Sequence, residues 1–376
     1  MKAKSTFSLK DQLFNPEKVA YLAGLVKKAY PDFESDAFQK SVVDAFPELE
    51  LKARISHITT CLHEYLPDDY ETALDIILRA LPPALDPTKT DDDFGDFIFS
   101  PHSLFVATYG CSATYLQTSL LALREMTKRF SVEYSIRFFI NAFPDETMAF
   151  LHEGATDKNY HVRRLSSEGT RPKLPWAQGL KTAYTLPMPL LELLYADSTR
   201  YVTRSVANHL NDISKLDPEL VIATLKKWRK SKRQEAKEMA YITKHSLRTL
   251  IKQGHPEALD LIGFGGKPDI TVTTFQTSTP VVKVGEAFLF DLSFESNKKQ
   301  NLVVDYQMTF ATTGKKAGTK VFKIKTLELS KGEVVNLNKK HPMRLMTTRR
   351  LYAGEHSITL QVNGENHGSL TFELVE

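Results

Sequence analysis

The segment His161–Trp176 concentrates residues that can do chemistry. Glu168 closes a helical pattern, and Arg171 and Trp176 follow it in a proline-stiffened loop. When an N-glycosidic bond breaks, a carboxylate can stabilise the cationic sugar and can position or deprotonate water. An aromatic face can stack on a base or support that sugar. The residue types suit N-glycosidic hydrolysis, and two structural interpretations stay open: a salt bridge from Glu168 to Arg164, and a core position for Trp176.

Two further carboxylates are candidates for the same role. Asp212 ends the motif Ser205-Val-Ala-Asn-His-Leu-Asn-Asp212, and Glu125 lies in Leu123-Arg-Glu-Met126. A structural role for Asp212, as a cap, a bridge between repeats or an anchor for Arg204, is equally open. The sequence favours Glu168, then Asp212, then Glu125, and it does not decide among them.

Three stretches that begin at His161, Tyr201 and Tyr241 repeat at a spacing of 40 residues. Such a period is typical of the paired helices of HEAT or armadillo arrays. The second position is apolar in each stretch, the fourth is basic, and the eighth is polar: Val162, Val202, Ile242; Arg164, Arg204, Lys244; Glu168, Asn208, Arg248. Positions four and eight share a helix face. Stacked repeats would align them into one cationic strip suited to an anionic polymer.

Charge is distributed unevenly along the 376 residues, although the net charge is only +4. Residues 1–100 hold 11 Lys/Arg against 18 Asp/Glu, whereas residues 161–254 hold 18 against 8. A local positive field attracts phosphates. A solvated basic surface is the alternative. The expected DNA contacts in this segment are Arg163, Arg164, Arg171, Arg204, Asn208, Asn211, Lys244, His245 and Arg248.

Composition narrows the class of protein. With 42% hydrophobic and 25% charged residues, the chain is typical of a globular protein with a core. The start lacks the apolar run of a signal peptide, and no stretch approaches the roughly 20 apolar residues of a membrane span. Two lone cysteines, Cys61 and Cys111, predict a reducing cytoplasm. Motifs for zinc, a Walker loop or a dinucleotide are missing, so we expect no metal and no cofactor. We also expect a monomer.

Periodicity divides the chain into two parts. Residues 1–262 show helical spacing of apolar residues, 263–268 form a glycine-rich linker, and 269–376 show period-two alternation. We therefore predict a mainly α protein, a HEAT-like solenoid followed by an immunoglobulin-like β-sandwich of seven short strands. Paired cations at the sandwich turns predict a second clamp on the same polyanion, with a solubilising surface as the alternative: Lys339, Lys340, Arg349 and Arg350.

The chain resembles the AlkC family of DNA alkylation-repair glycosylases in two motifs. These are His161-Val-Arg-Arg-Leu-Ser-Ser-Glu-Gly-Thr-Arg-Pro-Lys-Leu-Pro-Trp176 and Ser205-Val-Ala-Asn-His-Leu-Asn-Asp212, with weaker likeness at Leu49–Ile55 and Thr347–His356. The resemblance implies a HEAT-like domain that grips damaged duplex DNA, then an immunoglobulin-like domain. It also implies excision of N-alkylated cationic bases such as 3-methyladenine, with Glu168, Arg171 and Trp176 in the site.

The same resemblance bears on mechanism. A cationic base is already a good leaving group, so a dedicated general acid is less needed. The related AlkD family works without flipping the base into a pocket, unlike most glycosylases, and the resemblance implies the same here. Two other functions stay open: a non-catalytic module that binds DNA damage or DNA structure, and a scaffold for protein partners. The charge asymmetry speaks against the scaffold.

Overall fold

The computed structural model describes residues 8–89, 94–312, 318–345 and 350–376. The chain forms two compact units, one up to Ile213 and one from Ser214 onward. The described part of the first unit is helical, with α1 (Leu9–Leu13), α2 (Pro16–Ala29), α3 (Ser35–Asp44), α4 (Leu51–Tyr65), α5 (Tyr70–Arg79), α6 (Ser100–Tyr109), α7 (Leu116–Met126), α8 (Ile136–Ala142), α9 (Pro144–Gly154), α10 (Tyr160–Glu168), α11 (Met188–Leu194) and α12 (Arg200–Ile213).

Polar caps and prolines determine where these helices begin. Asn15 accepts a hydrogen bond from the Lys18 N–H, and Pro16 fills the first position of α2. Asp69 caps α5 in the same way through the Thr72 N–H. The helical spacing predicted over residues 14–80 is confirmed by α2 to α5, because the apolar positions of each helix face a common core.

Helix α10 packs against α12, and this pair carries two of the three repeat stretches. The predicted apolar column is confirmed, since Val162, Val202 and Ile242 are all buried. The side chains of the predicted polar column differ in how accessible they are. Arg164 is buried, in contrast to the exposed Lys244, because Arg164 meets a carboxylate that the repeat pattern does not reveal.

The second unit contains four helices and eight strands among its described residues. Its sheets have the orders β1-β3-β6 and β2-β8-β7-β4-β5, antiparallel throughout except for β2 beside β8. The elements are α13 (Pro218–Ser231), α14 (Ala236–Ser246), α15 (Arg248–Lys252), α16 (Pro256–Leu261), β1 (Ile270–Thr277), β2 (Val281–Lys283), β3 (Ala287–Ser296), β4 (Gln300–Phe310), β5 (Gly318–Leu329), β6 (Val334–Pro342), β7 (Gly354–Val362) and β8 (Glu365–Val375).

Seven of these strands are the predicted ones, and the short β2 was missed because three residues give no readable alternation. Aromatic residues such as Phe288, Phe290 and Phe372 fill the core between the sheets. Gly254 and Gly364 touch within this unit, where a Cβ on Gly254 would lie 2.3 Å from the Gly364 Cα. The sequence-based boundary, with a linker over 263–268, stays a prediction.

No helix in the described parts of the chain is long and apolar enough to cross a membrane.

Candidate active site

Helix α10 presents Glu168 at its last residue. Asn159 caps the start of the helix by accepting from the His161 N–H, and the Gly169 N–H closes the end on the Leu165 carbonyl. Gly169 has right-handed helical backbone angles, which any residue could adopt. Glycine is needed here because there is no room for a side chain. A Cβ there would lie 2.6 Å from Ile136 Cγ2. The close packing of α10 on α8 therefore fixes where Glu168 stands.

The Glu168 carboxylate is buried, with 5% of the residue exposed, and both of its oxygens accept hydrogen bonds. Arg171 Nη1 donates to Oε1 at 2.6 Å, and Ser205 Oγ donates to Oε2 at 2.6 Å. Arg164 Nη2 lies 3.8 Å from Oε1. Burial alone would raise the pKa of Glu168, but the two guanidinium groups and the Ser205 hydroxyl outweigh it and hold that pKa below its ordinary value. Glu168 is therefore a carboxylate anion at neutral pH.

Asp212 supports this anion from behind. It is 2% exposed, and its Oδ2 accepts from both Arg171 Nε and Arg171 Nη2 at 2.9 Å. Arg171 thus bridges the two carboxylates and carries the compensating charge between them. Asp212 is not among the residues that line the cavity, and it contacts Arg171 instead.

A second carboxylate, Glu133, reaches the site and was missed by sequence reasoning. Its Oε2 accepts from Arg164 Nη1 at 2.8 Å, and Arg164 lies over the Tyr201 ring, with Cζ 4.4 Å from the ring centroid. Burial, with a smaller contribution from Glu168, raises the pKa of Glu133 against the pull of Arg164. Glu133 lies in the loop before α8, where no periodic pattern or motif marked it. Only its local Ser-Val-Glu-Tyr polarity could have drawn notice.

These groups line a cavity of about 350 Å³. Its charged lining consists of Lys52, Glu133, Arg164, Glu168 and Arg171. Aromatic rings provide much of the rest: Phe94, Phe97, Phe130, Tyr134 and Trp176. An ionised carboxylate beside aromatic faces can stabilise a planar cation, because the charge and the π-faces are both attractive to it. The cavity therefore combines the two features that the sequence pattern predicted for His161–Trp176.

Trp176 stands at the cavity mouth and is 57% exposed, so it is not the core anchor considered as an alternative. Its φ of 65° is unusual for a bulky residue, and the surrounding contacts must hold it there. Lys52 donates to the Trp176 carbonyl, and Arg137 donates to the carbonyls of Arg171 and Gln178. Residues of helices α8 and α4 thus hold the loop that carries the Trp176 ring.

The remaining candidate carboxylate lies elsewhere. Glu125 is at the surface end of α7, where it pairs with Lys128 Nζ at 2.6 Å and with Arg129. It is not a residue of the cavity. The site assembled by the structure contains Glu168 and Glu133, with Asp212 behind them, and it leaves Glu125 out.

The predicted DNA-binding residues differ in accessibility. Arg164, Arg171 and Asn211 are buried, and Arg163 Nε donates to Asp197 Oδ2 at 2.5 Å. The sequence does not show these acidic or core neighbours, and DNA contact by the four residues stays a prediction. Lys244 and Lys340 are exposed, and half-buried positions hold Arg204, Asn208, His245, Arg248 and Lys339. Arg350 lies 5.4 Å from the Tyr352 ring centroid, whereas Arg349 lies outside the described residues.

Within the described ranges, no group of three or more His, Cys, Asp or Glu could hold a metal ion. The carboxylates of the cavity are instead neutralised by arginines.

The fold of the whole chain matches that of a solved alkylpurine DNA glycosylase. The solved structure of Pseudomonas fluorescens alkylpurine DNA glycosylase AlkC, bound to DNA containing an abasic site analog, matches with a TM-score of 0.88 and 33% identity. The match covers 98% of this chain and 100% of that one. Residues 271–376 match a family described as "Uncharacterised protein YhaZ, C-terminal Ig-like domain".

The protein therefore belongs to the AlkC family of alkylpurine DNA glycosylases. It is also 31% identical to the uncharacterized protein YhaZ of Bacillus subtilis (strain 168), over 96% of this chain and 98% of that protein. The family relation thus extends through both units, and the immunoglobulin-like character predicted for the sandwich is confirmed.

Proposed function

We propose that the protein is a DNA glycosylase of base excision repair. It hydrolyses the N-glycosidic bond of N-alkylated cationic bases, such as 3-methyladenine, in duplex DNA and does so without flipping the base. The observation that carries the proposal is the buried, ionised Glu168 in an aromatic cavity. The similarity to an AlkC structure solved with DNA that contains an abasic site analog supports the proposal.

Glu168 stabilises the cation that forms as the bond breaks. A cationic base leaves with the bonding electron pair as a neutral molecule, and the positive charge moves to the sugar. Arg171 and Ser205 hold the carboxylate in place beforehand, so little reorganisation is needed when that charge develops. Arg171, in turn, is held by Asp212, which acts as a positioning residue.

Glu133 is suited to activate the water. Its pKa is raised above the ordinary value, whereas that of Glu168 is lowered, so Glu133 is the stronger base of the two. Water adds its oxygen to the sugar carbon, and its proton passes to the Glu133 carboxylate. The products are the free base and an abasic sugar. The two roles follow from different balances: around Glu168 the arginines and Ser205 outweigh burial, whereas at Glu133 burial outweighs Arg164 and the Ser131 hydroxyl.

Trp176 supports the reacting nucleotide from the mouth of the cavity. Its exposed ring can stack on a base or face the sugar cation, and its strained backbone places the ring where a relaxed loop would not. Replacing the ring by Leu, with the loop contacts of Lys52 and Arg137 kept, should lower base release more than DNA affinity.

Duplex DNA is the proposed partner, bound by a monomer. We further infer that the helical region is a HEAT-like array, supported by the packing of α10 on α12 and the buried apolar column. The burial of Arg164 and Arg171 assigns them to the cavity. Phosphate contacts then come from more accessible residues, with Lys244 on the helices and Lys339, Lys340 and Arg350 on the sandwich.

The test is base release from DNA treated with a methylating agent. Purified wild-type protein should liberate 3-methyladenine, detected as the free base, and leave abasic sites. Binding of the DNA without any release would support the non-catalytic DNA-binding alternative instead.

A further inference from the structure

A second cavity, of about 570 Å³, lies in the sandwich. β5 and β6, the edge strands of the five-stranded and three-stranded sheets, form two of its walls, and β4 and the segment after β6 complete the lining. This volume is within the roughly 300–1,000 Å³ that small-ligand sites occupy.

The rim of this cavity is strongly basic. Among the described lining residues there are five cations and no carboxylate, the cations being Lys320, Lys323, Lys339, Lys340 and Arg344. Burial, with a smaller contribution from Lys244 outside the cavity, lowers the pKa of Lys323 against the pull of Asp305. Lysines on edge strands also prevent strand-to-strand aggregation, but that purpose needs no cavity between the edges. The arrangement is that of an anion site.

The floor of the cavity is aromatic. The Phe322 ring stacks on Tyr306, with centroids 5.3 Å apart. The His341 ring packs edge-on against Phe322, with centroids 4.6 Å apart. The Tyr306 hydroxyl and His341 Nδ1 are 2.6 Å apart and satisfy each other. The floor therefore offers ring surface more than polar atoms. Lys320 Nζ lies 5.2 Å from the Phe322 centroid.

We propose that this cavity binds a single unpaired nucleotide of a DNA strand. The base stacks on Phe322 and displaces Lys320, while Lys340 and Arg344 contact the flanking phosphates. Cations around an aromatic platform are the features by which proteins hold single strands, because every base has a stacking face and every nucleotide a phosphate. The identification of DNA as the polymer rests on the proposed function. The site itself is distinct from the glycosylase cavity.

The experiment uses the full chain carrying Glu168→Gln, which keeps DNA intact, and a short labelled oligo-dT containing 4-thiothymidine. We expect photocrosslinking to the peptide that contains Phe322. Lys340→Glu combined with Arg344→Glu should weaken oligonucleotide affinity at least tenfold. The slope of log affinity against log salt concentration (the salt slope) should fall by about 1 per cation removed. Lys331→Glu, in the turn before β6, is the control: it makes half of that charge change outside the cavity and should have less than half of the effect on binding.

A third variant separates stacking from charge. Phe322→Leu keeps an apolar side chain, and circular dichroism and thermal unfolding report whether the sandwich stays folded. In a folded variant, crosslinking should fall about tenfold with the salt slope unchanged. If Phe322→Leu unfolds the sandwich, the Lys340→Glu/Arg344→Glu pair decides alone.

Three results overturn the proposal: crosslinks that avoid the cavity, equal losses in Lys331→Glu and the rim variants, or competition by paired duplex as strong as by the single strand. The last would make the cavity a backbone clamp only. Failure of this site leaves base release by the wild type untouched. Conversely, a wild type that releases no base but crosslinks at Phe322 sinks the proposed function and keeps the site.

Discussion

Glu168 and Asp305 are both buried carboxylates, and their pKa values are shifted in opposite directions. Glu168 lies in the helical unit and is 5% exposed, and Asp305 lies on β4 of the sandwich and is 7% exposed. Glu168 accepts hydrogen bonds at both oxygens, and its pKa is lowered. Burial raises the pKa of Asp305 to about 6, and its Oδ1 finds no hydrogen-bond partner among the described residues.

The difference shows that neighbours, more than burial, decide the direction in which the pKa of a carboxylate shifts. Lys323 and Lys252 pull the pKa of Asp305 down, but they do not outweigh its desolvation. Around Glu168, two arginines and a hydroxyl do outweigh it. A fixed anion in an aromatic cavity is useful for stabilising a cation, and maintaining it requires a closed network of partners.

The largest expected effect comes from breaking that network at its centre. Arg171→Met leaves Glu168 and Asp212 buried without their shared cation, so we expect the free energy of unfolding to fall by about 3–5 kcal/mol. Urea unfolding measures this. Arg79→Met removes an exposed arginine from its pair with Asp75 and should cost less than about 1 kcal/mol. Similar losses in both variants would contradict the network account.

A smaller effect is expected in the sandwich, and it depends on pH. The Asp305 pKa is about 6 in the folded state against an ordinary 3.8, so the folded state binds more protons between these values. The free energy of unfolding therefore falls as pH rises from about 4 to 6, by about 2 kcal/mol. Asp305→Asn should remove this fall and be the more stable protein at pH 7. Parallel pH–stability curves for the two proteins would refute the assignment.

Removing one partner of Glu168 should have a moderate effect on catalysis. Ser205→Ala deletes the hydroxyl that donates to Oε2, which costs about 1.5 kcal/mol, or about tenfold in base release. Because that bond lowers the Glu168 pKa, the acidic limb of the pH–rate profile should shift to higher pH. Ser205→Thr keeps the hydroxyl and should restore the limb. Equal rate losses in both variants with an unmoved limb would reduce Ser205 to a packing role.

The smallest effect is expected at Glu125. Glu125→Gln weakens surface pairs with Lys128 and Arg129, which contribute little. Base release should stay within about twofold of the wild type. A rate loss comparable to that of Ser205→Ala would return Glu125 to the site.

Sequence periodicity predicted the helices, seven of the strands and the burial of Val162 and Val202, because these follow from local spacing. The Glu168, Arg171 and Trp176 cluster was also predicted, since its members are close along the chain. Glu133 and the burial of Arg164 were not, because that ion pair joins a loop to a helix far downstream. Contacts between distant segments leave no mark in a single sequence.

The most direct test of the account is 3-methyladenine release by Glu168→Gln. This change keeps the shape of the side chain and removes its charge, and salt-dependent binding to the same DNA serves as the control. We predict at least a hundredfold loss of release with DNA affinity retained, because the anion acts on the charge that develops in the transition state. Release at the wild-type rate would contradict the account and move the catalytic carboxylate to Glu133 or Asp212.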